Sequence, residues 1–183
     1  MSDRSIVGIK RAKIFIMKNE LIVLGIDPGF ALTGYGVIKA SSQKIEAIDF
    51  GCFETKVGED FSDRLLYLSK ELKKIIIKYK PDIVGVEELF FNKNVKTALK
   101  VAHARGVVLL VCGQFGIPAF EFTPTQVKQA ISCYGRADKK QVQQMIKILL
   151  NLKKTPKPDD VADALAVAVC AANSYKIKSV YEK

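Results

Sequence analysis

Leu21-Ile22-Val23-Leu24-Gly25-Ile26-Asp27-Pro28-Gly29 decides the fold. An apolar run of strand length ends on a carboxylate, and Pro-Gly breaks the chain directly after it. A second apolar run, Ile83-Val84-Gly85-Val86, ends on Glu87. Between the two, residues 34–39 and 45–54 read as strands that close an antiparallel meander with the first. Residues 60–79 carry Phe61, Leu65, Leu68, Leu72, Ile75, Ile76 and Tyr79 at helical spacing, and Lys80-Pro81 ends that helix. Beyond Glu87 the pattern predicts a long helix over 95–115, a strand over 119–122 and a helix opened by Pro124. Further helices follow over 138–151 and 159–174, the last apolar on nearly all sides. Three strands, then helix, strand, helix, strand, then helices describe an α/β protein with a mixed sheet and helices on both faces. A right-handed crossover lays the fourth strand beside the first. Asp27 and Glu87 then become neighbours at one edge of the sheet, where α/β folds usually keep their chemistry.

A length of 183 residues suits one compact domain, and 49% hydrophobic content fits a globular chain. The formal net charge is +10, which points to a polyanionic partner. Residues 1–20 carry Arg4, Lys10, Arg11, Lys13 and Lys18 against Asp3 and Glu20, a net of +3. The remainder still carries 10 − 3 = +7, so residues 1–20 read as a dispensable extension. Residues 21–175 form the single domain and 176–183 a tail. Cys52, Cys112, Cys133 and Cys170 are scattered without a C-x-x-C pair, and His103 is the only histidine, which argues against a zinc site. The cysteines read as small reduced apolar residues of a cytoplasmic protein. No apolar run reaches the ~20 residues of a membrane span.

Asp160 and Asp163 lie one helical turn apart near the start of the last helix. Taken singly, each acid has an ordinary explanation. Asp-Pro-Gly is common turn chemistry. On a strand Glu87 and Glu88 face opposite ways, so only one can join Asp27. Acids at a helix start are favoured by its dipole. Asp163, however, is embedded in Val161, Ala162, Ala164, Leu165 and Ala166, with no Lys or Arg within a turn on its own helix. A buried carboxylate needs a partner or a metal. Four acids gathered in one pocket of a basic chain point to hard cations and a phosphodiester. Mg²⁺ takes carboxylate and water oxygens, and two such ions can hold the attacking and leaving oxygens of a displacement at phosphorus. No nucleophile–His pair offers another route.

Four segments, LGIDPGFALTGYGV, GVEELFFNKN with TALKVAHARG, TPTQVKQAISCYGRADKKQVQQMI, and PDDVADALAVAV, together resemble the RuvC family of bacterial crossover junction endodeoxyribonucleases, in order and over about residues 21–175. The resemblance implies a ribonuclease H-like fold: a mixed five-stranded sheet, three strands antiparallel and two parallel, with helices on both faces. It implies a homodimer that resolves four-way (Holliday) DNA junctions in recombination and repair. The reaction would be paired symmetric nicking with two Mg²⁺ per site, Mn²⁺ substituting, leaving 5′-phosphate and 3′-hydroxyl ends. The implied partners are junction DNA and the branch-migration motor formed by RuvA and RuvB, with no membrane. The family's acids fall on Asp27, Glu87, Asp160 and Asp163, as catalytic and metal-binding residues. Its DNA-contacting positions fall on Lys128 and Lys139, with Lys140 adjacent, and on Phe90, beside which Phe91 adds a second ring. Two aromatic rings in a loop-like segment are costly to expose without use, and stacking on a base is worth about 1–3 kcal/mol. A basic structural DNA-binding protein and an actin-like ATPase are the competing classes; the second needs a further phosphate loop that the sequence lacks. Within nucleases, the competitor is a related enzyme acting on other branched DNA or on structured RNA.

Overall fold

A computed structural model describes residues 20–88, 95–132 and 135–181, with side chains described for residues 20–88, 97–132 and 135–175. The elements run β1 (Glu20–Asp27), β2 (Leu32–Ser41), β3 (Ile45–Glu54), α1 (Phe61–Tyr79), β4 (Ile83–Glu87), α2 (Val95–Phe115), β5 (Ala119–Phe122), α3 (Pro124–Ser132), α4 (Lys139–Leu149) and α5 (Asp159–Tyr181). The sheet has five strands in the order β3-β2-β1-β4-β5. β1 pairs antiparallel with β2, and β2 with β3. β4 pairs parallel with β1 on one side and with β5 on the other. This is the mixed sheet expected from the element order.

Strand periodicity sorts the core into two layers. Leu21 and Val23 of β1 and Ile83 of β4 point to the face covered by α3, α4 and α5. Leu24 and Ile26 of β1 with Val84 and Val86 of β4 point to the face covered by α1 and α2. The α1–α2 face is filled by large side chains, among them Leu68, Leu72, Ile76 and Val108. The other face is tighter at the end that carries the acids. A methyl group at Gly25 would fall 2.1 Å from the carbonyl oxygen of Ala164, and one at Gly34 would fall 2.1 Å from that of Asp160. Glycine in the sheet and alanine on the helix (Ala164, Ala168, Ala171) let the α5 backbone lie almost on the strands.

One expectation needs correction. α5 continues to Tyr181 rather than ending near residue 174, because no Gly or Pro in that stretch stops it. In addition, Thr97–Phe115 has the length and mean hydropathy (1.3) to cross a membrane by composition alone. Lys100 and Arg105 interrupt its apolar runs without lowering the average enough. Here Ala104, Val108, Val111 and Cys112 of that helix are buried in the domain, while Leu99, Leu110 and Phe115 face outward.

Candidate active site

β1 and β4 are in register through Ile26↔Val86, so Asp27 and Glu87 are the next pair along. Alternation turns both toward the α5 face, the side of Leu21, Val23 and Ile83. Glu88 has the opposite parity, and its amide donates to the carbonyl of Phe122 at 2.8 Å. The loop after Asp27 is tied down at three points. The Thr33 hydroxyl donates to the Gly29 carbonyl (2.6 Å), the buried Thr55 hydroxyl donates to the Phe30 carbonyl (2.7 Å), and Arg64 Nε donates to Thr55 (2.9 Å). The Phe30 ring stacks on Phe61 at 4.8 Å and lies 3.9 Å under the Arg64 guanidinium. Asp27 therefore leads into a fixed loop.

Asp160 and Asp163 enter from the first turns of α5, whose close approach at Gly34 and Gly25 brings them to the same corner. Burial pushes the Asp27 carboxyl well above the usual carboxylate range, and the charges of Glu87, Asp163 and Asp160 push it further. Glu87 is raised by burial and by Asp163, against the pull of its hydrogen bond with Asp27 and of Lys139 and Lys128. Burial raises Asp163 as well, and Lys139 offsets part of the rise. Asp27, Glu87 and Asp163 are thus raised in one another's company, and each would be relieved by positive charge in their midst.

Part of that charge comes from the protein. Lys139 Nζ lies 3.1 Å from Asp163 Oδ2 and 3.5 Å from Asp159 Oδ2. Burial works against the Lys139 ammonium, yet its bonds to Asp163 and Asp159 outweigh that and hold it above the ordinary lysine value. Lys128 and Lys139 join Glu87 and Asp163 in lining a pocket of ≈ 150 Å³ with Pro124, Val127 and Val142. A wider depression of ≈ 310 Å³ on the outer side of α4, lined by Asp138, Lys140, Gln141, Gln144 and Met145, holds a single acid, and we place no chemistry there. Lys140 belongs to that outer side, apart from the acids. Phe90 and Phe91 lie outside the described residues.

The site also contains groups that sequence reading passed over. These are Asp159 and Gln143. Gln143 is 7% exposed and donates through Nε2 to Asp159 Oδ1 at 2.9 Å. Lys157 Nζ meets the same oxygen at 3.1 Å. Those two bonds, that of Lys157 the larger, hold Asp159 below the usual carboxylate range. A polar residue on the apolar face of α4 was the available signal for Gln143.

The donor set, four carboxylates without sulfur or imidazole, suits a hard oxygen-preferring cation. Among the described residues, no three acidic, histidine or cysteine side chains close around one point tightly enough to hold an ion. The Lys139 ammonium sits on Asp163, where it would compete with a cation for that carboxylate.

The family model described as crossover junction endodeoxyribonuclease RuvC matches residues 23–171. The chain belongs to the RuvC family. The crossover junction endodeoxyribonuclease RuvC of Ruminiclostridium cellulolyticum is 57% identical over 157 residues, covering 86% of this chain and 95% of the relative. That of Clostridioides difficile is 56% identical, covering 86% and 94%. Among solved structures, Thermus thermophilus RuvC superposes with a TM-score of 0.81 at 32% identity, covering 86% of this chain and 97% of that one. The T. thermophilus RuvC in complex with Holliday junction substrate gives 0.79 at 31%, covering 86% and 96%. The fold is therefore that of the RuvC resolvases. The activity is that of a metal-dependent endonuclease of Holliday junctions, acting in recombination and repair.

Proposed function

We propose that this RuvC-family chain hydrolyses one phosphodiester per subunit at a four-way junction, using two Mg²⁺ ions held by Asp27, Glu87, Asp160 and Asp163. The observation that carries the reading is the meeting of β1, β4 and α5 at one corner, with three of those acids raised by burial and mutual repulsion. When bound, the ions supply an acidified water and neutralise charge on the leaving 3′-oxygen. Everything else belongs to the protein. The packed floor beneath the acids, Gly25 against Ala164 and Ala168, fixes the strand and the helix that carry them. Lys128 and Lys139 at the pocket mouth hold the scissile phosphate by charge. Water adds to phosphorus, the bond to the 3′-oxygen breaks, and the products carry a 5′-phosphate and a 3′-hydroxyl. Phe90 and Phe91 follow Glu87 closely in the chain, and we assign one of them to stacking on an opened base. Mn²⁺ should substitute for Mg²⁺.

A second copy of this chain completes the function. Clean resolution needs two nicks related by a two-fold axis, and one subunit has one set of acids. The outward face of α2 supports this reading. Leu99 and Leu110 are 54% and 61% exposed, and His103, Gly106 and Gly113 continue the same stripe. On the same helix the half-buried Ala98, Val101 and Ala102 offer close-packing positions, and we place part of the interface there. RuvA and RuvB are the proposed loading partners, in the cytoplasm.

The deciding experiment cleaves end-labelled four-way junctions beside linear duplex, with and without Mg²⁺. Symmetric nicks in the junction alone, dependent on Mg²⁺ and sealable by ligase, are expected. Equal cutting of linear duplex, or cutting in chelator, would overturn the reading.

A further inference from the structure

Lys139 begins α4, and its backbone is fixed. The Asp138 carboxylate accepts from the amide of Gln141 (2.8 Å), while the Gln141 side chain accepts from the amide of Asp138 (2.9 Å), a reciprocal cap. Only the side chain of Lys139 is free to swing, and it stands between two carboxylates one helical turn apart on α5. Asp163 Oδ2 is the nearer at 3.1 Å and Asp159 Oδ2 the farther at 3.5 Å. Asp159 is held ready: its other oxygen is engaged by Gln143 and Lys157, which turns Oδ2 toward Lys139. Gln143 is buried, so losing Asp159 would leave its amide unsatisfied.

This arrangement has a consequence for cation binding, resting on the acid pocket proposed above. An ammonium on Asp163 competes with a cation for the same lone pairs and repels it. Loading the pocket therefore requires that ammonium to leave, and a lysine leaving one carboxylate loses less if another is already within reach. We propose that Asp159 is a positioning residue that receives Lys139 from Asp163 when divalent cations enter, so that the lysine moves aside yet stays at the pocket mouth for the phosphate. The simpler reading makes Asp159 one more acid at the start of a helix. In that case its charge would attract cations regardless of Lys139.

The two readings separate in a double-mutant cycle on the full chain without DNA, with Mn²⁺ binding measured by calorimetry. Asp159→Asn keeps the shape and an acceptor for Gln143, so the fold should survive, and thermal melting checks this. Asp159→Asn should weaken Mn²⁺ binding about three-fold, the scale of a partly exposed ion pair. Lys139→Gln should strengthen it. The double variant should match Lys139→Gln alone, and Asp159→Glu should restore wild-type binding. The Mg²⁺ concentration for half-maximal cleavage should rise in Asp159→Asn. Equal weakening in both backgrounds, or none in the wild-type background, would overturn the proposal. Asp163→Asn is the control for the pocket itself: if Mn²⁺ binding ignores that change, the acid-pocket reading fails, whatever Asp159 does.

Discussion

Gly34→Ala adds one methyl group at the point where the two halves of the active site meet. Gly34 is the β2 partner of Asp27. The added carbon would lie 2.1 Å from the Asp160 carbonyl oxygen, 2.5 Å from its carbonyl carbon and 3.1 Å from the Val161 nitrogen. All three are backbone atoms, so no side-chain torsion relieves the clash. Ordinary contact begins at 3.4 Å, so the first turn of α5 must retreat by 3.4 − 2.1 = 1.3 Å, or β2 must yield by as much. The helix cannot slide as a unit, because Ala164 and Ala168 are seated on Gly25 farther along. The start of α5 tilts, carrying Asp160 away from Asp27. Overpacking of this kind costs about 1–3 kcal/mol of stability. Displacing a positioned group by about 1 Å costs roughly 100-fold in rate, which is ~2.7 kcal/mol on the barrier.

The assay pairs urea denaturation with single-turnover junction cleavage at saturating enzyme and Mg²⁺, well below the melting temperature. The expected variant is folded, moderately less stable and slow in the chemical step, with junction affinity retained. Wild-type cleavage and wild-type stability together would mean that α5 has room over β2 that the packing denies, and the geometric origin of the site would be refuted. Unfolding at low urea would show instead that the contact is chiefly structural.

Asp27→Asn, Glu87→Gln, Asp160→Asn and Asp163→Asn should each abolish cleavage while junction binding in gel-shift assays stays intact; near-normal nicking would remove that residue from the metal site. Glu88→Gln should keep substantial activity because its side chain has the other strand parity, and loss of activity there with Glu87 dispensable would shift the β4 assignment by one residue. Lys128→Ala should lower the slope of log affinity against log salt by about 0.9 on duplex arms, and an unchanged slope would place this lysine off the phosphate. Metal-free protein should lose stability as pH rises through the raised values of Asp27, Glu87 and Asp163, since their protons bind more tightly in the folded state and their contribution is complete only below the ordinary carboxylate values. Saturating Mg²⁺ should suppress that fall, and Asp27→Asn should reduce it; a melting temperature that rises through the same window in both proteins would contradict the burial argument.

Which parts of this site were legible beforehand follows from how far each signal reaches along the chain. Period-two alternation is local, so Leu21, Val23 and Ile83 already assign Asp27 and Glu87 to one face and Glu88 to the other. The crossover rule then brings the two strands together, and the register through Ile26↔Val86 agrees. The apolar surroundings of Asp163 announce that it needs a partner. They do not name one, because the partner comes from α4, and a search of its own helix cannot find Lys139. That pairing depends on how α4 docks against α5, which is set by Val142, Ile146 and Leu165 in the shared core. The glycines were equally silent. Gly25 and Gly34 read as weak points of a strand until the helix lying on them is known, and only then do they account for the position of Asp160. The α2 face shows the same limit in reverse. Small residues such as Ala98 and Ala102 suggest close packing, but periodicity alone cannot say whether they meet the domain's own core or a second copy. In the fold they are half-buried, while Leu99 and Leu110 stand outside. Acids and alternation are written residue by residue, whereas the cation that balances them and the surface that pairs them are properties of two elements meeting.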